Sequence, residues 1–393
     1  MTDPASGRRP SKSLLYVATV SATLRHFLSP YARRLRSMGW RVEAAANGAT
    51  GDLALREAFD RAHELPLSRS ILDIRGIVAS YRALATLLAA RPDIVHVHTP
   101  IAGFVTRLVV RRLPATDRPA IVYTAHGFHF HRQGHWATNQ LFLAMERLAG
   151  RWTDRLIVIN DEDFNAARRY RLVPARCLVR MPGIGLDTAA FSRAAVKPGA
   201  IAHARAALGV PQGAPLFVAV GELNRNKRHA DAIAALAEMR SADARLVLLG
   251  EGDARHRLEG LVAKLGLVER VRFGGFVADV RPVLAGATAL VHPSKREGLS
   301  RSVMEALALE VPVIASSARG NEELVGESGA VVPIGDVSGL ALAMDHLADH
   351  PGEGTSMGRR GRERMVESYD LEAVIALHEQ LYESLLAERR RER

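Results

Sequence analysis

Two glutamates stand eight residues apart in KREGLSRSVMEALALEVPVIAS, residues 295–316. The run around Glu305 is apolar enough to be buried, and a buried carboxylate is costly unless something satisfies it. The preceding TALVHPS reads as a strand leading into a turn that ends at Glu297 and Gly298, with a helix expected from about Ser300. First-turn amides of such a helix form an anion site, and a glycine at position 298 lets a ligand approach the backbone closely. Val303, Met304, Leu307 and Ala308 point to the core, so Glu305 falls near the open side of a buried helix. A vicinal diol, as on a ribose, satisfies such a carboxylate with two hydroxyl donors; Glu297, at the helix mouth, can do the same for a second hydroxylated ring. The plainer alternative gives Glu297 to the helix dipole and pairs Glu305 with Arg301 one turn back. Two glutamates alone leave both readings open.

Other chemistry-bearing clusters read as structure. NDEDF contains Asp161 and Asp163 in a metal-like spacing, but it follows a strand and opens a helix, where Asn160 or Asp161 serves as N-cap and acids in the first turn are favoured. HGFHFHRQGH supplies His126, His129, His131 and His135, a density that suggests zinc. No cysteine or acid sits close by, so no metal site is expected. LLGEGD lacks the spacing of a dinucleotide fingerprint and reads as a turn.

These residues need elements to position them. A chain of 393 residues, 48% of them apolar, exceeds one ordinary core. The single cysteine, Cys177, excludes an intramolecular disulfide and suits a reducing cytoplasm. No apolar run reaches the ~18 residues of a spanning helix, and the polar, basic start to Lys12 lacks the apolar middle of a signal peptide. Charge is uneven: residues 1–190 hold 27 Lys and Arg against 15 Asp and Glu, and the remainder 26 against 27. A basic half attracts polyanions, namely nucleic acid, an acidic membrane face or a phosphorylated substrate.

Strands are expected at 13–20, 41–46, 93–98, 120–125 and 155–159, and again at 215–221, 245–250, 270–275, 288–293 and 311–316, with helical patterns between them. Apolar strands alternating with amphipathic helices imply parallel sheets covered on both faces, and here the pattern occurs twice. The expected architecture is α/β: two doubly wound, Rossmann-like domains facing across a cleft, with the working site at the carboxyl ends of their strands. The seam is placed in the Pro/Gly-rich stretch 183–214. The division is 1–190, 191–365, and a terminal helix over 366–393 that packs back on the first domain.

The segment PSKREGLSRSVMEALALEVPVIAS resembles the Glu-x7-Glu signature of the retaining glycosyltransferases of family 4, which have the GT-B fold. Pro293, Ser294, Glu297, Gly298, Glu305, Ala306 and Pro312 match. VAVGELNRNKRHADAI is similar to the family's diphosphate-binding strand and loop, and VRFGGFVADVRPVLAGATALVHPS to its approach to the nucleotide. HVHTPIAGFVTRL, VYTAHGFHF and MPGIGLD are similar to the branch that builds capsular and extracellular polysaccharides. The resemblance runs from about Leu14 to Leu381.

The resemblance implies that Glu305 binds the ribose hydroxyls of a nucleotide sugar. Glu297 and the amides of Gly298, Leu299 and Ser300 hold the donor sugar, Lys227 neutralises the diphosphate, and backbone near Phe276 and Val277 borders the base. His126 lies beside the scissile bond, so His126 and Glu297 are the catalytic candidates. Where many relatives have Gly-Arg, this chain has Gly221-Glu222; Arg225 is the expected substitute, with Arg228 the second candidate. The family's first-domain glycine-rich loop is replaced by TVSATLRHF, in which His26 keeps an acceptor-side position.

The expected activity is metal-independent, front-face transfer of a hexose or N-acetylhexosamine from a UDP-sugar, with no cofactor beyond that substrate. The expected acceptor is a polyprenyl-diphosphate-linked glycan, with the protein cytoplasmic and peripheral at the inner face of the plasma membrane. The helix at 29–38, with Arg33, Arg34 and Arg36 beside Tyr31 and Leu35, is a candidate contact for the anionic surface; its alternative is an amphipathic helix packed on the sheet. Three other functions remain: transfer to a soluble small-molecule acceptor, sugar-nucleotide epimerisation, and nucleic-acid binding. The last is disfavoured by few aromatics and the lack of a recognisable module, so no nucleic-acid partner is expected.

Overall fold

A computed structural model describes residues 12–392 apart from 69, 71 and 131–133. The expectations placed on the opening residues, on His131 and on the last residue lie outside that set. Contacts divide the chain into two units, Met1–Ile184 with Val374–Arg393, and Gly185–Ala373.

The first unit is built on β1 (Ser13–Val20), β2 (Arg41–Asn47), β3 (Arg61–Glu64), β4 (Ile94–His98), β5 (Ala120–Ala125), β6 (Arg155–Val158) and β7 (Leu178–Arg180). They form one sheet in the order β3-β2-β1-β4-β5-β6-β7, parallel throughout. The second unit has β8 (Leu216–Val220), β9 (Arg245–Leu249), β10 (Val271–Gly275), β11 (Ala289–His292), β12 (Val313–Ser316) and β13 (Gly329–Val332), in the order β10-β9-β8-β11-β12-β13. Inner strands such as IVHVH and ALVH are buried along their whole length, as parallel strands covered on both faces must be. Each sheet reverses its order once, between β1 and β4 and between β8 and β11. At such a reversal the chain leaves neighbouring strands toward opposite faces, opening a crevice at their carboxyl ends.

The terminal stretch, expected as one helix, is two: Pro351–Ser368 and Leu371–Glu392. The break has a physical cause. Tyr369 gives its carbonyl to the Leu186 amide (2.8 Å), and the Leu371 amide bonds the Leu186 carbonyl (2.9 Å), so this backbone cannot continue the helical ladder. Asp370 then accepts from the Glu372 amide (3.0 Å) and restarts it. Residues from Val374 onward pack within the first unit. There Tyr382 is fully buried, 2.6 Å from His96 Nδ1 and 3.1 Å from the Tyr16 hydroxyl.

TVSATLRHF forms a short helix at the end of β1 that widens into a π turn over Leu24–Leu28. Pro30 explains the widening: it has no amide, and its ring would press on the carbonyl four residues back. The following helix, Ser29–Ser37, buries Tyr31, Ala32 and Leu35. Arg34 pairs with Glu379 (2.9 Å) and Arg36 with Asp60 (2.9 Å). The helix is thus packed on one face, while Arg33 and Arg34 stay exposed on the other.

A buried ionic cluster braces β5. Arg107 and Glu146, both nearly inaccessible, meet at 3.1 Å, the Tyr123 hydroxyl donates to Glu146 (2.9 Å), and the guanidinium lies over the Tyr123 ring. Removing one partner strands the other charge in the core, so Glu146→Ala is expected to cost about 3–5 kcal/mol. The paired replacement Arg107→Met/Glu146→Leu should cost less than the single change. Urea denaturation measures both, and a single-mutant cost below that of the pair would contradict the assignment.

Candidate active site

The densest chemistry of the second unit lies where its sheet reverses. After β8, Asn224 Oδ1 accepts the amides of Asn226 and Lys227 (both 3.0 Å), folding 224–227 into a tight turn. The loop after β11 is stitched to that turn: the Lys295 amide bonds the Asn226 carbonyl (2.8 Å), and Asn226 Nδ2 bonds the Arg296 carbonyl (2.9 Å). Across this seam Lys227 Nζ reaches Glu297 Oε1 at 2.7 Å. His292, the last residue of β11, is buried, with Nε2 3.3 Å from the same oxygen and 3.0 Å from Ser294 Oγ. Burial alone would raise the Glu297 carboxyl; the His292 hydrogen bond and the Lys227 ammonium overturn this and hold it well below the usual carboxylate range.

The helix expected from Ser300 spans Arg301–Ala308, with Ser300 at its N-cap and residues 302–308 all buried. The amides of Gly298, Leu299 and Ser300 have no protein acceptor among the described residues, so three donors are free at the helix mouth beside Glu297. Glu305 is 8% exposed, and one carboxylate oxygen accepts from Arg301 Nε at 2.8 Å. The plainer pairing is therefore present, yet it occupies only one oxygen; Oε2 has no protein donor among the described residues and is not sealed. Burial raises the Glu305 carboxyl, and Arg301 only partly opposes it. Gly320, at φ +76°, lets the next loop press on this one: a Cβ there would sit 1.8 Å from the Gly298 carbonyl.

The neighbouring strand ends add to the same edge. LLGEGD is a turn, and its reason is close packing: a Cβ at Gly250 (φ +139°) would lie 2.0 Å from the Gly221 carbonyl. The Gly250 amide bonds the Gly275 carbonyl (2.7 Å), which sets Phe276 and Val277 beyond the end of β10. Phe276 is 75% exposed, while Val277 packs against the core. Arg228 is committed to Asp231 (2.6 Å). Arg225 is exposed and has no acidic partner among the described residues, so of the two candidates it has the free guanidinium. Glu222 is exposed and takes no part in the Lys227–Glu297 bond.

His26 and His126 belong to the first unit, at the carboxyl ends of β1 and β5. His26 is exposed in the π turn, 3.2 Å from the Arg25 guanidinium. His126 Nε2 lies 2.9 Å from Nδ1 of His98, the last residue of β4. Burial pushes His126 down to about 4, so it is neutral at pH 7. Thr99 follows with φ +70°, a strained value for a β-branched residue, and its hydroxyl meets that of Thr19 at 2.7 Å. Neither His98 nor Thr99 was singled out from sequence, nor was His292; nothing in HVHTP or LVHPS distinguishes them from core positions.

The acids of NDEDF and two of the loop histidines have structural surroundings. Asn160 caps its helix through the Asp163 amide (2.8 Å), and Asp161 pairs with Arg180 (3.0 Å). The His129 ring packs on Phe142, and His135 is exposed at the start of the helix Trp136–Gly150. Among the described residues no three His, Cys, Asp or Glu side chains are grouped to hold a metal.

The two glutamates should respond oppositely to pH. Glu297, depressed in the folded state, contributes stability that is present above the ordinary carboxylate pKa and lost as pH falls through its folded value. Glu305, raised in the folded state, works against folding once pH exceeds its unfolded value, and acid relieves it. Glu297→Gln should therefore lower the urea midpoint at pH 7, with a difference that shrinks only as pH falls below about 4, the unfolded carboxylate range. Glu305→Gln should be at least as stable as wild type at pH 7. Equal losses in both variants would contradict these opposite environments.

Comparison with known proteins agrees with this geometry. The family model for "Glycosyltransferase Family 4" matches residues 30–188, and that for "Glycosyl transferases group 1" matches residues 214–350. EpsD of Bacillus subtilis (strain 168) is 34% identical over 357 residues, covering 90% of this chain and 91% of that protein. The UDP-Gal:alpha-D-GlcNAc-diphosphoundecaprenol alpha-1,3-galactosyltransferase of Escherichia coli is 25% identical, covering 71% of each. The crystal structure of Anabaena Alr3699/HepE in complex with UDP superposes with a TM-score of 0.80 at 19% identity, covering 95% of this chain and all of that one. Two parallel-sheet units, a Glu-x7-Glu pair at the reversal of the second sheet, and sequence identity along nearly the whole chain place this protein in the family 4 glycosyltransferases, with the GT-B fold.

Proposed function

We propose that this chain is a retaining glycosyltransferase that moves a sugar from UDP to a polyprenyl-diphosphate-linked glycan in polysaccharide assembly. The observation that carries the reading is the edge holding Lys227, Arg225, Glu297, three free amides and the open oxygen of Glu305. Each group matches one part of a nucleotide sugar. Glu305 Oε2 accepts from the ribose diol, Lys227 and Arg225 oppose the diphosphate, Glu297 and the amides of residues 298–300 receive the sugar, and Phe276 and Val277 border the base. The related structure that contains UDP and the relative named for a UDP-Gal donor and an undecaprenol-diphosphate acceptor support donor and acceptor.

In this reading the bond from the sugar's anomeric carbon to the β-phosphate oxygen breaks. The acceptor hydroxyl oxygen bonds that carbon on the same face, and its proton passes to the departing phosphate oxygen. Negative charge grows on the diphosphate as the bond breaks, and cations fixed beforehand stabilise that charge more than they stabilise the intact donor. Lys227 and Arg225 are those cations in this reading, which calls on no metal. The family resemblance assigns His126 to the donor sugar and His26 to the acceptor.

A lipid-linked acceptor places the enzyme at an anionic surface. Among the described residues no helix is long and apolar enough to cross a membrane. Arg151, Arg168, Arg171 and Arg176 instead line one groove of the first unit, exposed and without an acidic partner among the described residues. Basic side chains near such a surface contribute about 1 kcal/mol each.

UDP is expected to raise the melting temperature. Glu305→Gln should weaken UDP binding by roughly 10- to 100-fold, the worth of a hydrogen bond to a charged group. Lys227→Ala and Arg225→Ala should weaken UDP more than uridine, each shift being read against the variant's own ligand-free melt; equal loss for both ligands would remove the diphosphate role. Vesicles containing anionic lipid should pellet the protein at low salt and release it at high salt, and replacing the four groove arginines by alanine should abolish pelleting. No pelleting of wild type at low salt would favour a soluble acceptor.

A further inference from the structure

His98 is buried at 1% exposure, and its two ring nitrogens have unlike surroundings. Nδ1 faces His126 Nε2 at 2.9 Å, whereas Nε2 is sealed from solvent and has no partner. The ring also packs on His96, with centroids 4.3 Å apart. His96 is itself fixed by the Tyr382 hydroxyl on Nδ1 (2.6 Å) and by Thr124 Oγ1 on Nε2 (2.7 Å). The outward nitrogen of His126, Nδ1, has no protein partner among the described residues and is not sealed.

Both rings are neutral, because burial holds His98 well below its ordinary value and His126 down to about 4. Only one proton can lie on the line between Nδ1 of one ring and Nε2 of the other. If His126 supplied it, the single proton of His98 would sit on Nε2, a sealed N–H with no acceptor, which folded proteins rarely tolerate. If His98 supplies it, Nε2 is left as a bare ring lone pair, the smaller loss. His126 then accepts on Nε2 and must hold its own proton on Nδ1.

We propose that His98 is a positioning residue that donates its Nδ1–H to His126 Nε2, fixing His126 as the Nδ1–H tautomer with a hydrogen-bond donor facing outward at the end of β5. The proton assignment stands on the geometry of the first unit alone; its meaning for catalysis rests on the transfer reading above. Fixed in this way, His126 cannot remove the acceptor's proton, since its accepting nitrogen is engaged and its free nitrogen already carries hydrogen. It can only donate, to a sugar hydroxyl or a departing oxygen, which leaves the phosphate as the proton acceptor.

The test is a two-bond proton–nitrogen correlation spectrum of the full chain with nitrogen-15 histidine at pH 7, His126 being identified by the signals lost in His126→Asn. The expected pattern is the Nδ1–H tautomer for His126. His98→Asn, whose amide can place an N–H near the former Nδ1, should keep it, and His98→Leu should shift His126 toward Nε2–H. In turnover, His98→Leu should lower kcat on the order of 3- to 10-fold, the worth of one hydrogen bond, with KM little changed and His98→Asn restoring most of the rate. An Nε2–H pattern in the wild-type protein would overturn the proposal even if His98→Leu failed to fold. So would an unchanged pattern and rate in a folded His98→Leu. Failure to bind or turn over UDP-sugar would sink the transfer reading and leave the tautomer result standing.

Discussion

An acid with little access to water must be given a cation, and in the second unit that requirement falls at the point where the sheet reverses. Lys227 leaves β8 and Glu297 follows β11, adjacent strands whose chains continue to opposite faces. The ion pair and the Asn226 contacts close what would otherwise be an open seam. The rest of the edge depends on it: the loop 293–300 is held in place, three amides are left free at its end, and Glu305 is carried below them on a buried helix. The lysine is held in place by protein contacts alone, and in the proposed function that is the condition under which a charge assists bond breaking without reorganising.

The two glutamates are solutions to different problems. Glu297 is ionised with ease because a cation and a histidine surround it. Glu305 is ionised with difficulty because burial outweighs its single arginine. A carboxylate kept under-solvated gains more from two incoming hydroxyl donors than one already satisfied, and under the proposed function that cost to folding would become affinity for a diol. In the first unit, the strained Thr99 and the sealed nitrogen of His98 are departures of the same kind, tolerated at strand ends where a parallel sheet presents its ligands.

Inner strands were legible because burial on both faces writes an unbroken apolar run. The three strands not anticipated, RAHE, LVR and GAVV, are all sheet edges. RAHE is mostly polar, and LVR and GAVV are only three and four residues long, so they leave little pattern. The break at Tyr369 was hidden for another reason: it is set by backbone bonds to Leu186, far away in sequence. Glu297 and Glu305 were visible as acids out of place beside or within an apolar run, whereas Lys227, in a basic loop, was picked out only by the family resemblance. That Lys227 meets Glu297, and that Arg228 is committed to Asp231 while Arg225 is free, depends on contacts across the sheet or on side-chain direction, which spacing does not encode.

The central claim is that the reversal edge of the second sheet grips a nucleoside diphosphate through its own acids and cations. A crystal structure of the chain soaked with UDP tests it most directly. The ribose hydroxyls should lie within hydrogen-bond distance of Glu305, and the diphosphate should lie against Lys227, Arg225 and the amides of residues 298–300. A well-ordered UDP bound elsewhere, or bound with its ribose turned away from Glu305, would contradict the account.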